Sequence, residues 1–169
     1  MKMHWLITAG LLAVPAVWAD TQTAVGTDAA AAFARLKGLV GEWEANTDVG
    51  KARLIYELTG GGSAVVERES AENMPPMMTV YHLDGNRLVL THYCMAGNQP
   101  RMEAKGFDPA AREIRFRFLD ATGLASPGAG HMHNTTIRLV DADHIESEWQ
   151  FFENGQPKMT EKFQYKRVR

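Results

Sequence analysis

Four side chains of this 169-residue sequence could act on one ligand: His92, Cys94, His131 and His133. Each pair stands two residues apart, and on an extended strand such neighbours project from one face about 6.5–7 Å apart. Leu88 and Leu90 lie on the apolar face of the first stretch, Ile137 and Leu139 on that of the second. Alternation therefore turns all four inward, and three imidazoles and the single thiol would meet at one rim. Three chemistries suit that rim. One is a polar collar hydrogen-bonded to Thr135, Gln99 or backbone, with Cys94 packed as a small apolar residue. The second is a transition-metal site of His92, His131 and His133, completed by Cys94 or water. No inward carboxylate is evident to orient the imidazoles, which counts against it. The third is a non-covalent haem with one histidine as axial ligand; no Cys-x-x-Cys-His run exists for covalent attachment. The cofactor thus stays open between none, a transition metal and haem.

Catalytic patterns are missing. Ser63, Ser70, Ser126 and Ser147 stand in no Gly-x-Ser-x-Gly context. His92 and Cys94 project in parallel rather than toward each other, which is poor geometry for a nucleophile and its base. Gly60-Gly61-Gly62 precedes a strand rather than a helix, so it is no phosphate cradle. No catalytic residue is assigned. Glu161 falls inward with Phe163 by alternation, and could anchor a cationic ligand group or pair with Arg53 or Arg101. Met74, Met77, Met78, Met95, Met102 and Met132 fall near the proposed rim.

The elements that must position these groups follow from the pattern. The first nineteen residues read as a signal peptide: Lys2 and His4, an uncharged run from Leu6 to Val17, then Ala19 before Asp20. Export to the periplasm or beyond is the expectation, followed by a linker over 20–28 and one domain over 29–169. The apolar run is short for a membrane span, and no later segment is long and apolar enough. A net charge of −2 without a basic run leaves no footprint for nucleic acid. One cysteine rules out a disulfide framework within the chain. Composition names no protein partner or oligomeric state.

Asp28 can cap a helix over 29–39, with Phe33, Leu36, Leu39 and Val40 at helical spacing. From Trp43 the period becomes two. Strands are expected near 42–47, 52–59, 63–70, 77–83, 87–95, 101–107, 112–119, 131–140, 144–152 and 158–168, separated by turn chemistry such as Asp84-Gly85-Asn86 and Glu153-Asn154-Gly155. Ten evenly spaced strands argue for an all-β, antiparallel, up-and-down closed barrel with an N-terminal capping helix, closure removing the edges. A two-sheet sandwich is the other solution, with less use for the helix. Alternate links share an end: the tight ones lie with Trp43 and Arg167 at a floor. The longer 71–76, 96–100 and 120–130 ring a mouth, where His92, Cys94, His131 and His133 fall.

The run Phe33-x-x-Leu36-x-Gly38-x-x-Gly41-Glu42-Trp43, a helix leading into Gly-x-Trp on the first strand, resembles the opening of the calycin superfamily. Lipocalins, fatty-acid-binding proteins and nitrobindin-like haem barrels belong to it. The stretch Val80 to Asp84-Gly85, on through His92-Tyr93-Cys94 to Arg101-Met102, is similar to that in secreted bacterial lipocalin-like proteins. The resemblance implies that Trp43 packs across the barrel floor, with a basic side chain of the last strand, here Arg167, stacked on it. The paired cysteines of many secreted lipocalins are absent. Taken together, the expectation is a small hydrophobic molecule held against Phe116, Phe118, Trp149, Phe151, Phe163 and Tyr165. Its polar head would meet His92, His131 and His133 at the mouth. The alternatives are a metal or haem protein using the same rim with Cys94, and a filled structural envelope module.

Overall fold

The computed structural model describes residues 28–47 and 50–168; the expected signal peptide and nearly all of the linker lie outside them. Asp28 caps the one α-helix among the described residues, α1 (Ala29–Lys37), its carboxylate accepting from the Ala31 N–H at 2.9 Å. Ala29, Ala32, Phe33 and Leu36 form its buried stripe. The helix stops at Gly38, whose N–H returns to the carbonyls of Ala34 and Arg35.

Eleven strands follow: β1 (Gly41–Thr47), β2 (Gly50–Thr59), β3 (Ala64–Ala71), β4 (Met74–Asp84), β5 (Arg87–Tyr93), β6 (Gln99–Ala104), β7 (Phe107–Asp108), β8 (Glu113–Thr122), β9 (His131–Leu139), β10 (His144–Glu153) and β11 (Gln156–Arg167). Each wall strand pairs antiparallel with its sequence neighbour, β6 pairs with β8, and β11 returns to β1. Ten strands therefore close into an antiparallel barrel. β7 is a two-residue stub on β8, so the strand expected over 101–107 is two pieces, parted at Lys105-Gly106. β4 begins three residues earlier than expected, through Pro75-Pro76. Its pairing with β5 starts only at Met78↔Tyr93, so on that side the prolines face no ladder that needs their missing N–H. No helix among the described residues is long and apolar enough to cross a membrane.

The floor matches the expectation. Trp43 is fully buried and donates Nε1–H to the Leu39 carbonyl at 2.8 Å. Arg167, its register partner, stacks its guanidinium 4.0 Å over the indole. The same guanidinium donates to the carbonyls of Val40, Gly38 and Ala142, tying the last strand to the helix exit. Tyr56, Tyr81, Phe116 and Tyr165 fill the lower barrel, with Tyr81 and Phe116 5.7 Å apart.

At the mouth, the loop 123–130 is held by hydrogen bonds at both flanks. Asn98 Nδ2 donates to the Gly130 carbonyl and the Asn154 N–H to the Gly128 carbonyl, each at 2.9 Å. Gly123 sits at φ +72°, and a Cβ there would lie 2.9 Å from the Gly97 oxygen, so the loop's first turn requires glycine.

The seam between β1 and β11 is short. Its register pairs are Trp43↔Arg167 and Glu44↔Lys166, and above them the described strands part.

Candidate functional site

Above the floor lies a cavity of about 410 Å³. Ala52, Ala71, Trp149 and Phe163 line it with the thioethers of Met74, Met77, Met132 and Met159. Asn46 and Thr47 on β1, and residues 159–163 on β11, bound it where the seam has parted. Four ionisable side chains join this wall: His92, Glu69, Glu161 and Lys162. Its size and mixed lining are those of a small-molecule pocket.

One cross-strand row positions His92. Tyr56 pairs with Glu67, Glu67 with Thr79, and Thr79 with His92, from β2 through β5. The Tyr81 hydroxyl donates to Glu67 Oε2 at 2.8 Å, and the hydroxyls of Tyr56 and Thr79 donate to the same carboxylate. Burial raises the Glu67 pKa and these three donors oppose the rise. Thr79 Oγ1 also pairs with His92 Nδ1 at 2.9 Å, and a hydroxyl that gives its proton to Glu67 accepts from that nitrogen. The imidazole lies 4.8 Å from the Trp149 ring and is 2% exposed. Burial holds its pKa down at about 4, so it is neutral at pH 7. Its Nε2 is buried and has no hydrogen-bond partner among the described residues.

Glu69, two residues along β3, is pushed up to about 8, first by burial and then by the charges of Glu67 and Glu161. The Tyr165 hydroxyl donates to it. Burial also raises Glu161. Arg53 pairs with Glu42 and Arg101 with Asp120, so neither is the partner expected for Glu161.

The expected rim does not assemble. β9 and β10 slip register between Gln150 and Phe151: Asn134 faces Gln150, Met132 faces Phe151, and His133 is the extra residue. A one-residue slip reverses every side chain beyond it. Met132 thus takes the position on the cavity wall, and neither His131 nor His133 lines it. His133 stacks between Phe118 and Phe152, with centroids 4.3 and 4.1 Å away, both at 18°. His131 donates from Nδ1 to the Ala129 carbonyl at 2.9 Å, and its Nε2 accepts from His133 Nδ1 at 3.1 Å. Burial and then the neighbouring His131 lower the His133 pKa.

Phe118 belongs to this ring cluster and does not line the cavity. Cys94 lies just past β5, half-buried against the core, its thiol pKa raised chiefly by burial. His92, Cys94, His131 and His133 therefore do not converge. Among the described residues no group of three or more His, Cys, Asp or Glu side chains is placed to hold a metal ion. The backbone-bonded His131 and packed Cys94 are as the collar reading has them.

Of the other expected wall residues, Trp149 and Phe163 line the cavity, Phe116 and Tyr165 are buried below it, and Phe151 packs near Gly130. Met74, Met77 and Met132 line it too, whereas Met102 is buried and Met95 is exposed. Sequence reasoning missed Glu67, Glu69, Tyr56 and Thr79. The signal was present: Val65, Glu67 and Glu69 alternate, which puts two carboxylates on the face of a buried valine.

No protein-family model and no curated protein matches the chain. Several solved structures share its fold, among them the following two. Rv2717c from M. tuberculosis superposes with a TM-score of 0.55 at 16% identity, over 82% of this chain and 98% of that one. A protein of unknown function of the DUF3598 family from Nostoc punctiforme gives 0.53 at 12% identity, over 79% of this chain and 49% of that one. The chain thus spans about half the length of the Nostoc protein. At these identities the likeness is one of fold.

Proposed function

We propose that this is a binding barrel of calycin type that holds one small, largely apolar molecule in the cavity above Trp43. The carrying observation is the pairing of an apolar lining, from Trp149, Phe163 and four methionines, with a buried imidazole nitrogen that has no partner among the described residues. An unpaired buried polar atom costs roughly 1–3 kcal/mol, and a ligand polar group reaching it recovers that cost. Recognition then rests on His92 and the two cavity glutamates, not on His131 and His133. Apolar area removed from water contributes about 25 cal/mol per Å², so a ligand of modest size binds without covalent chemistry. Export is part of the same proposal, resting on the Leu6–Val17 run and Ala19; cleavage there leaves a mature N-terminus at Asp20, readable by mass spectrometry.

The test is a titration with N-phenyl-1-naphthylamine, a neutral apolar dye that brightens when it leaves water. Saturable binding, lost in Ala71→Trp where the new side chain fills the cavity, supports the reading. No saturable binding to the folded protein refutes it. A second reading, non-covalent haem, has one observation in its favour: the His92 imidazole is neutral and keeps an unshared nitrogen, as an axial ligand must. An absorption spectrum of the purified protein, with and without added haemin, separates the two, since a shifted Soret band that His92→Ala abolishes belongs to the haem reading alone.

A further inference from the structure

We infer that the cavity selects a cation: an apolar molecule bearing a protonated amine. The inference rests on the cavity being a ligand pocket and concerns what that ligand must carry. The hydrogen-bond row bears on the character of His92. When Thr79 gives its proton to Glu67 it accepts from His92 Nδ1, and Nε2, which has no partner among the described residues, is then a lone pair. An atom in that state accepts and cannot donate.

Glu69 and Glu161 line the same cavity and supply two more acceptors. They repel each other when both are ionised, which is part of why Glu69 is hard to ionise in the empty barrel. Each group facing Glu69 adds to this or stays neutral: Glu67 on its own strand, Glu161 and Tyr165 on β11, His92 on β5. The only basic residue on the cavity wall among those described is Lys162, and its ammonium pairs with Glu148 at 2.9 Å, across the sheet on the face opposite Trp149. Among the described residues, the carboxyls of Glu69 and Glu161 therefore have no basic partner on the cavity wall.

An ammonium group answers all three acceptors at once. It donates to Nε2, it stabilises the ionised forms of Glu69 and Glu161, and the rings of Trp149 and Phe163 offer π faces to a cation. A carboxylate ligand would meet like charge and a lone pair. An alcohol would satisfy His92 and leave the glutamates as they were.

Calorimetric titration at pH 8 with octylamine, octan-1-ol and octanoate, which share one tail, tests this. Octylamine, ionised there as a lysine side chain is, is expected to bind at least about tenfold tighter than octan-1-ol, a difference near 1.4 kcal/mol, with octanoate weakest. In Glu69→Gln/Glu161→Gln the preference should shrink to about threefold or less while octan-1-ol still binds; Glu161→Gln alone should reduce it part of the way if the double variant does not fold. Equal binding of amine and alcohol, or a preference that survives in both variants, overturns the inference and leaves the apolar pocket standing. Binding of none of the three overturns the pocket as well.

Discussion

Replacing Glu69 by Gln removes a carboxyl group that the barrel does not want ionised and keeps its shape. In the unfolded chain this group titrates near 4.5, and in the folded barrel near 8. Between those values the folded state holds the proton that the unfolded state has released, so native stability falls as pH rises through that window. At about 1.4 kcal/mol per pH unit the full interval sets a ceiling of about 5 kcal/mol. Glu69 is only half-buried, and water reaching the cavity screens it, so about 2 kcal/mol is the realistic figure. Gln at this position can still accept from the Tyr165 hydroxyl, and it has no charge to desolvate. Urea denaturation of both proteins at pH 5 and pH 9 is the assay. The variant should gain about 2 kcal/mol on the natural protein between the two pH values, with the difference small at pH 5. A difference that does not change with pH would show that Glu69 is ordinarily solvated, and the electrostatic reasoning about the cavity would fall with it.

Two further outcomes follow from the floor and the relay. Trp43→Ala should cost about 3–5 kcal/mol, as large aromatic truncations in cores do. It also strips Arg167 of its stacking surface and the Leu39 carbonyl of its donor; urea denaturation measures it, and a loss below about 1 kcal/mol would place the indole outside the core. His92 should stay neutral down to about pH 4, with Nε2 as its unprotonated nitrogen, both visible in a ¹⁵N-detected histidine titration. Because its folded value lies below the usual 6.5, its contribution to stability is complete above pH 6.5 and is lost as pH falls toward 4. Protonation near 6.5, or a proton on Nε2, would break the relay from Glu67.

The architecture was legible because alternation and turn chemistry report on backbone geometry directly. Asp84-Gly85-Asn86 and Glu153-Asn154-Gly155 sit at hairpins as read, and Trp43 meets Arg167 across the seam. Alternation also placed Glu161 and Phe163 on the cavity wall. What failed was the assumption that the period persists along a whole strand. His131 and His133 share parity with Ile137, but the bulge at His133 inverts the phase before either is reached. A bulge leaves no composition signal here, because the residues around it are as strand-compatible as their neighbours. Glu67 and Glu69 were hidden for another reason. A carboxylate reads as solvated, and its burial becomes intelligible only when Tyr56, Tyr81 and Thr79 are brought from three other positions to donate to it.

Methionine methyl NMR tests the central claim most directly, because the sequence has methionines both on and off the cavity wall. With selectively labelled methyl groups and octylamine as titrant, the resonances of Met74, Met77, Met132 and Met159 should shift together and saturate. Those of exposed Met95, and of Met78 beside Arg68, should stay in place. Shifts confined to Met78 and Met95, or no saturable shift at all, would contradict the account.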